Sequence, residues 1–455
     1  MKYAVTSQEM KICDRNTSQY FGLAPMVLME RASLEVVREI ENWKNLRDSK
    51  RRLRVLVLAG VGNNGGDGVC IGRILKTRGY LVNLCVMGDY TKASDEVLSQ
   101  LKIAEKYGIN ADTFSYIRDN KCGFDFDIIV DSLFGIGLSR PINGDILDAV
   151  RFVNGCKQEL GKDMLVLAVD MPSGVCADDG RVLGDAVRAD MTVTFNQVKL
   201  GQILYPGCDY VGKLVVSDAG ITPDSFLGKD PGAVFFDGDP KALLPVRRHD
   251  GNKGTYGKVL VIAGSKEISG ACILAASAAL KAGAGMVRVF TAVENAEAVK
   301  TLLPEIILDT YEDFEPVEDN LREAMDWSTQ AVIGPGIGTL AKGKELLSCI
   351  LDHYQKSLVM DADALNIIAG DKELFTKTSE FCVRGKKLIL TPHMGEFSRL
   401  MNTGIKDCKE NILTYPSELA RKLHCTVLCK DARSIVADSN EKKIYINISG
   451  NDGMA

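Results

Sequence analysis

The sequence predicts an α/β protein of two consecutive domains, each built on a mainly parallel sheet. Three observations predict it. The 455 residues exceed one ordinary domain. Short apolar runs alternate with longer amphipathic ones, the pattern of strands and crossover helices. The unusual residues fall directly after the apolar runs, where the carboxyl ends of parallel strands line a ligand crevice.

Taken in order, Ser7–Ile40 reads as two helices broken at Gly22-Leu-Ala-Pro25. Strands are expected at Arg54–Ala59, Val82–Met87, Ile128–Asp131, Met164–Asp170 and Met191–Phe195, with helices such as Val69–Arg78 and Asp95–Lys106 between them. Pro, Gly and Asp cluster around residues 223–240, the expected linker between domains 1–222 and 241–455. A second series follows: Val259–Ala263, Met286–Phe290, Ala331–Ile333, Leu358–Asp361, Leu388–Leu390, Thr426–Cys429 and Lys443–Ile446, with an Ala-rich helix at Gly270–Ala284.

Composition narrows the function. Hydrophobic residues at 46% and charged residues at 25% are ordinary for a soluble globular chain. A net charge of -5 argues against a general partner in nucleic acid or anionic membrane. The basic run Lys50-Arg51-Arg52 reads as a solvated loop. Thirteen cysteines, scattered without a CxxC pair, suit reduced buried thiols rather than a disulfide framework. His424, Cys425 and Cys429 lie close enough to suggest a metal, but Cys425, Val427 and Cys429 would share one face of a strand, so core packing is the better reading. The start, MKYAVTSQEMK, lacks an apolar signal core and no run is long enough to span a membrane, so a cytoplasmic protein is expected.

In the first half, Gly60–Gly68, Asp131–Leu138 and Asp170–Gly174 each follow a strand and can converge. Gly60-Val-Gly62-Asn-Asn-Gly65 matches the GxGxxG dinucleotide fingerprint, with Asp89 after the next strand, so a dehydrogenase-type Rossmann domain is a rival reading. Asn63, Asn64 and Asp67 are odd for that role, because a carboxylate beside a pyrophosphate is repelled. One carboxylate with neutral oxygens suits a weakly charged cation better than calcium or magnesium. Asn64, Asp131 and Ser173 could supply such a set, although Asp131 and Ser173 could equally cap turns after strands.

GVGNNGGDG, VDSLFGIGLSRPI and VDMPSGV, together with Leu28-Met-Glu-Arg-Ala32, resemble the NAD(P)H-hydrate epimerase domain over roughly residues 1–220. The resemblance implies a Rossmann-like, doubly wound sheet. It implies that Asn63, Asn64, Gly65, Gly66 and Asp67, with Gly135, Ile136, Gly137, Leu138, Ser139, Arg140 and Pro141, hold a hydrated nicotinamide nucleotide. It gives Asn64, Asp131 and Ser173 to potassium, and Asp170 to the substrate as the candidate acid–base group. Interconverting the R and S hydrates requires loss and return of the C6 hydroxyl, or ring opening, for which a positioned carboxylate is suited. The plainer reading of Asp170 is a cap before Pro172.

In the second half, Gly264-Ser265, Gly334-Pro-Gly-Ile-Gly338, Asp361-Ala-Asp-Ala-Leu-Asn366, Thr391-Pro-His393 and Lys430-Asp-Ala-Arg433 also follow strands. With Lys253–Ser265 and Ala282-Gly-Ala-Gly285, they resemble the ADP- or ATP-dependent NAD(P)H-hydrate dehydratase, a ribokinase-like fold. The resemblance implies contacts from Ala271, Gly338 and His393 to the S hydrate, and from Lys430, Asp431, Ala432, Arg433 and Ser434 to ADP or ATP with Mg2+. A buried, satisfied histidine is the ordinary alternative for His393. Met394 and Asp452 stand where the family has proline, and Asp431 where it has glycine. The chain ends at Asn451-Asp-Gly-Met-Ala455, where the family continues into a Thr-Gly-Gly-x-Gly-Asp segment that would neutralise the transferring phosphoryl group. The expectation is therefore an incomplete second domain without dehydratase turnover in this chain. A homo-oligomer acting on small-molecule hydrated NADH or NADPH is expected. The alternatives are a binding or scaffold module, for which retaining Asn64, Asp131 and Asp170 would be unnecessary, and a small-molecule kinase.

Overall fold

The computed structural model describes residues 1–46, 51–120 and 125–450. Lys50, Asp452 and the chain end 451–455, on which three expectations rested, lie outside the described residues. The chain divides into two compact units, Lys2–Ala233 and the residues from Val234 onward.

The first unit carries a seven-stranded sheet in the order Ala111–Asp112, Leu81–Val86, Arg54–Ala59, Ile128–Ser132, Leu165–Val169, Met191–Phe195, Lys213–Ser217. All of its pairings are parallel. Chain order runs outward from Arg54–Ala59 in one direction and then restarts beside it at Ile128–Ser132, which makes the gap between these two strands the switch point where ligands bind. Alternate residues of the first strand face opposite layers. Val55, Val57 and Ala59 pack with Val36, Ile40 and Val69, whereas Leu56 and Leu58 pack with Val150, Val153 and Val166. Helices therefore cover both faces, and the strand is buried on each, as its unbroken apolar run requires.

The helices expected in Ser7–Ile40 are Ser7–Gln19 and Pro25–Leu46. Two elements depart from expectation. The helix placed at Val69 begins at Asn63, so the second half of the Gly-rich segment is a first helical turn rather than a loop. A short parallel pair, Ala4↔Val198 and Val5↔Lys199, joins the N-terminus to residues just beyond the sixth strand of the sheet.

The second unit has parallel strands in the order Ile307–Tyr311, Met286–Ala292, Lys258–Ile262, Gln330–Ile333, Ser357–Met360, Leu388–Leu390, Thr426–Cys429, followed by antiparallel Ile435–Asp438 and Ile444–Ile446. Its switch point lies between Lys258–Ile262 and Gln330–Ile333. The expected linker 223–240 contains more structure than a tether: a turn at Pro223–Phe226, a strand at Ala233–Phe235, and buried Phe226 and Phe235.

The described cysteines are free thiols, all buried except Cys208. Cys425, Val427 and Cys429 are 3%, 0% and 0% exposed, and His424 terminates a helix at φ 55°, so this segment is core and cap. Among the described residues no helix is long and apolar enough to cross a membrane.

Candidate active sites

At the first switch point, the parallel register sets Leu58 beside Asp131 and Ala59 beside Ser132. The two strand ends then run so close that only glycine fits. A Cβ on Gly60 would stand 2.0 Å from the Leu133 carbonyl oxygen, and one on Gly68 1.8 Å from Ser132 Oγ. The glycines thus bring the helix start Asn63–Asp67 down onto the strands. Asp89, the other half of the dinucleotide fingerprint, caps the turn Tyr90–Lys92 through the Thr91 amide, at 3.0 Å.

Asp131 is fully buried and accepts from Ser173 N at 2.8 Å, Ser173 Oγ at 2.6 Å and Leu133 N at 3.3 Å. Burial pushes its carboxyl up to about 6, and only these hydrogen bonds oppose the rise. Ser173 Oγ also accepts from Phe134 N at 2.9 Å. Next to Phe134, Gly135 lies against Asn64, whose side chain a Cβ there would meet at 3.2 Å. The Asn64 amide nitrogen is buried without a hydrogen-bond partner among the described residues. A carboxylate without a counter-charge and an orphaned amide are both costly in an interior. One cation between them would relieve both, once the amide turns its oxygen inward. No group of three His, Cys, Asp or Glu able to hold a metal occurs among the described residues. A single carboxylate with neutral oxygens fits potassium better than a divalent ion.

Asp170 follows the neighbouring strand at φ 64°, a left-handed conformation that a non-glycine residue keeps only when its surroundings enforce it. Its amide donates to Val193 O at 2.8 Å, and its carbonyl accepts from Gln202 Nε2 at 2.6 Å. Its Oδ1 accepts from Thr194 Oγ1 at 2.9 Å and from Lys199 Nζ at 2.5 Å. Asp14 and Asp67 share this field. Burial raises Asp14 to about 6, with Lys199 opposing and Asp170 adding. Asp67 is raised well above the ordinary aspartate value by burial, then by Asp170 and Asp14.

In the second unit, Gly334 at φ 127° could carry no side chain, because a Cβ would lie 1.8 Å from Asp361 O. A Cβ on Gly336 would meet that of Ala271 at 3.0 Å, so the glycine turn and the Gly270–Lys281 helix start touch. Gly338 N donates to Asp363 Oδ2 at 3.0 Å. Asp361 accepts from Lys430 Nζ at 2.8 Å, and Lys430 N donates to Pro392 O at 2.7 Å, beside His393. Lys430 is thereby held by Asp361 and Gly338 by Asp363, with Ala271 beside Gly336 and His393 bridged to Lys430. His393 is not buried: its side chain is 56% exposed and caps the helix Met394–Met401, accepting from Gly395 N at 2.9 Å. Arg433 donates to Ile448 O at 2.9 Å, and the backbone N–H of Asn447 to Ser434 O at 2.9 Å, so both residues are tied to the segment just past the Ile444–Ile446 strand. The Asp431 carboxylate stands 3.9 Å from Lys409.

Two family models match: the YjeF-related protein N-terminus over residues 25–201, and NAD(P)H-hydrate dehydratase over residues 259–455. The bifunctional NAD(P)H-hydrate repair enzyme of Thermofilum pendens is 34% identical, covering 100% of this chain and 84% of its own length. That of Moorella thermoacetica is 33% identical, covering 100% and 85%. This chain belongs to the bifunctional NAD(P)H-hydrate repair enzymes. Among solved structures, a ribokinase-like superfamily protein from Enterococcus faecalis V583 is 24% identical, with a TM-score of 0.42, covering 49% of this chain and 74% of its own.

In this repair enzyme the structure gathers Asn64, Asp131, Ser173 and Asp170 around one switch point. Asn63 is exposed there, and Gly65 and Gly66 are buried under the helix start. Of the segment Gly135 to Pro141, Gly137, Ser139, Arg140 and Pro141 are exposed, whereas Leu138 is 8% exposed and packs in the core with Leu133 and Ile142. Leu138 can therefore offer a ligand only its backbone. Ile136 is half-buried and packs against both the Met10–Phe226 cluster and the Met171–Val175 cluster. Asp170 is no helix cap, because its carboxylate faces Lys199 and Thr194. Sequence reasoning missed Lys199 and Asp14. Lys199 offered one signal, a lysine within an apolar stretch after the Met191–Phe195 strand. Asp14 offered none, since one acid on a polar helix reads as solvated.

Proposed function

We propose that the first unit interconverts the R and S forms of hydrated NADH and NADPH, and that the second unit receives the S form together with ADP or ATP and Mg2+ for its dehydration. The observation that carries the reading is the convergence of Asp170 with the Asn64–Asp131–Ser173 set at one switch point, in a chain whose second half matches the dehydratase family. The exposed turn Gly137–Pro141 and the helix start at Asn63 would receive the nucleotide, because free amides at a helix start favour phosphate. Potassium held by Asn64, Asp131 and Ser173 would supply positive potential beside the anionic substrate. Asp170 would then give a proton to the departing C6 hydroxyl and take it back from the returning water, or take the hydroxyl proton as the ring opens and return it as the ring closes.

In the second unit, Ala271, Gly338 and His393 would receive the S hydrate, and Lys430 to Ser434 the adenine nucleotide. The exposed His393 beside Lys430 favours this over a purely structural histidine. The buried free thiols suit a reducing compartment, and we place the protein in the cytoplasm on that ground.

Resolved R and S hydrates, incubated with the chain with and without potassium and followed by chromatography, test the first activity. Asp170→Asn should slow interconversion by about 10²–10⁴-fold while the fold is kept. Equal rates for Asp170→Asn and wild type would remove Asp170 from the chemistry.

A further inference from the structure

Lys199 is 1% exposed, among the least accessible lysines a soluble chain could carry. The fold fixes it from several sides. Its backbone pairs with Val5 in a short parallel ladder. Its amide donates to Gln202 Oε1 at 2.8 Å, and the same Gln202 side chain donates from Nε2 to the Asp170 carbonyl at 2.6 Å. One glutamine therefore clamps the main chain of both residues. The ammonium has three hydrogens and three acceptors: Asp170 Oδ1 at 2.5 Å, Thr194 Oγ1 at 2.9 Å and Phe195 O at 3.3 Å. None is left for a substrate.

The Asp170 carboxylate is used unevenly. Oδ1 takes both the ammonium and the Thr194 hydroxyl, whereas Oδ2 has no donor among the described residues. The Asp170 side chain keeps 13% exposure where Lys199 keeps 1%. The surrounding charges would otherwise push this carboxylate away. Asp14 from the Ser7–Gln19 helix and Asp67 from the Asn63–Thr77 helix share its field, and Lys199 is its ion-pair partner among the described residues.

We infer that Lys199 is a positioning residue for epimerisation: by pinning Asp170 Oδ1 with an ammonium that has no free hydrogen, it presents Oδ2 to the hydrated ring without touching the substrate itself. The inference rests on Asp170 as the acid–base group. A lone carboxylate on a strand end could rotate about its side chain. Here rotation would break a charge-assisted bond in a water-poor site, where such a bond is strongest.

The test uses the whole chain and pure R hydrate. Lys199→Ala should lower kcat by about 100-fold and leave KM within about threefold. Propylammonium, which matches the atoms removed and can return the charge, should restore about tenfold of that loss, and propan-1-ol should not. In the Asp170→Asn background, Lys199→Ala should cost nothing further. Wild-type kcat in folded Lys199→Ala, equal rescue by propan-1-ol, or fully additive losses would each overturn the inference. If the Lys199 variants do not fold, Thr194→Val decides, because it removes the other donor to Oδ1 with little change of volume. A kcat loss of about tenfold at constant KM is then expected, and an unchanged kcat overturns the inference. An Asp170→Asn chain that still works at full rate would instead remove Asp170 from the chemistry, and a wild-type chain that leaves both hydrates unchanged would sink the proposed function, so the failures are distinct.

Discussion

Asp14, Asp67 and Asp170 lie in one another's field, and the Lys199 ammonium bonds to Asp170 and acts on Asp14, so gathering these acids in one interior place is costly. Asp14 is held at about 6, chiefly by burial. The folded chain thus grips this proton more tightly than the unfolded chain does. That stabilisation is complete below the ordinary aspartate range near pH 4, and it is lost as pH rises through about 6. Asp14→Asn cannot ionise, so it escapes the loss. Relative to wild type, its unfolding free energy should therefore rise by about 1–3 kcal/mol between about pH 4 and pH 8, measured by urea titration at both ends. A difference that stays flat with pH would show that Asp14 ionises freely in the fold. Neither Asp14 nor Lys199 could be assigned from the sequence. Their roles come from Asp14 meeting, in the folded chain, a lysine about 185 positions later, and pattern reading along the chain has no access to that.

The elements themselves were largely legible where a run was both apolar and bounded. Arg54–Ala59, Met191–Phe195, Leu388–Leu390 and Thr426–Cys429 stand where their apolar runs put them. The strands that escaped are those with mixed burial, such as Lys213–Ser217, or those only two residues long, such as Ala111–Asp112. The Asn63–Thr77 helix was placed six residues late, because Gly65, Gly66 and Gly68 weaken helix propensity and were read as loop. Tertiary contact overrides propensity here, since the same glycines permit the close approach to the strands. The helix therefore contains a contrast in sign. Gly68→Ala would drive a Cβ to 1.8 Å from Ser132 Oγ, whose hydroxyl donates to Leu58 O at 2.8 Å. It should cost about 1–3 kcal/mol and disturb the Ile128–Ser132 strand that carries Asp131. Gly72→Ala, one turn later, meets only Val57 and Val82 methyls at 3.5 Å and should gain about 0.5–1 kcal/mol. Thermal unfolding of the two variants should move in opposite directions. Equal losses would mean that the helix is not seated on its strands as described.

At the scale of the whole molecule, two units with separate cores each carry a candidate site at the switch point of a parallel sheet. The gathering of the candidate residues was legible because residues that follow strands in a parallel sheet must collect at one end. What was not legible was the internal wiring, such as Asp361 holding Lys430 and Asp363 holding Gly338. Separate sites predict separable responses. A ligand that binds only the folded form stabilises by an amount set by its excess over Kd, about 2.7 kcal/mol at a hundredfold excess. Potassium held by Asn64, Asp131 and Ser173 should therefore raise the unfolding transition of the first unit alone. Exchanging it for choline at equal ionic strength should lower that transition and slow interconversion of the hydrates, while the transition of the second unit stays in place. Choline is too large for the enclosed space around a fully buried Asp131 and leaves the ionic screening unchanged. Ser173→Ala removes the hydroxyl that lies 2.6 Å from Asp131 and should abolish the potassium response with the fold preserved. Calorimetry of wild type and variant in both salts separates these outcomes. A shift of both transitions together would mean that potassium acts on the chain as a general salt, and an identical response in Ser173→Ala would mean that it binds elsewhere.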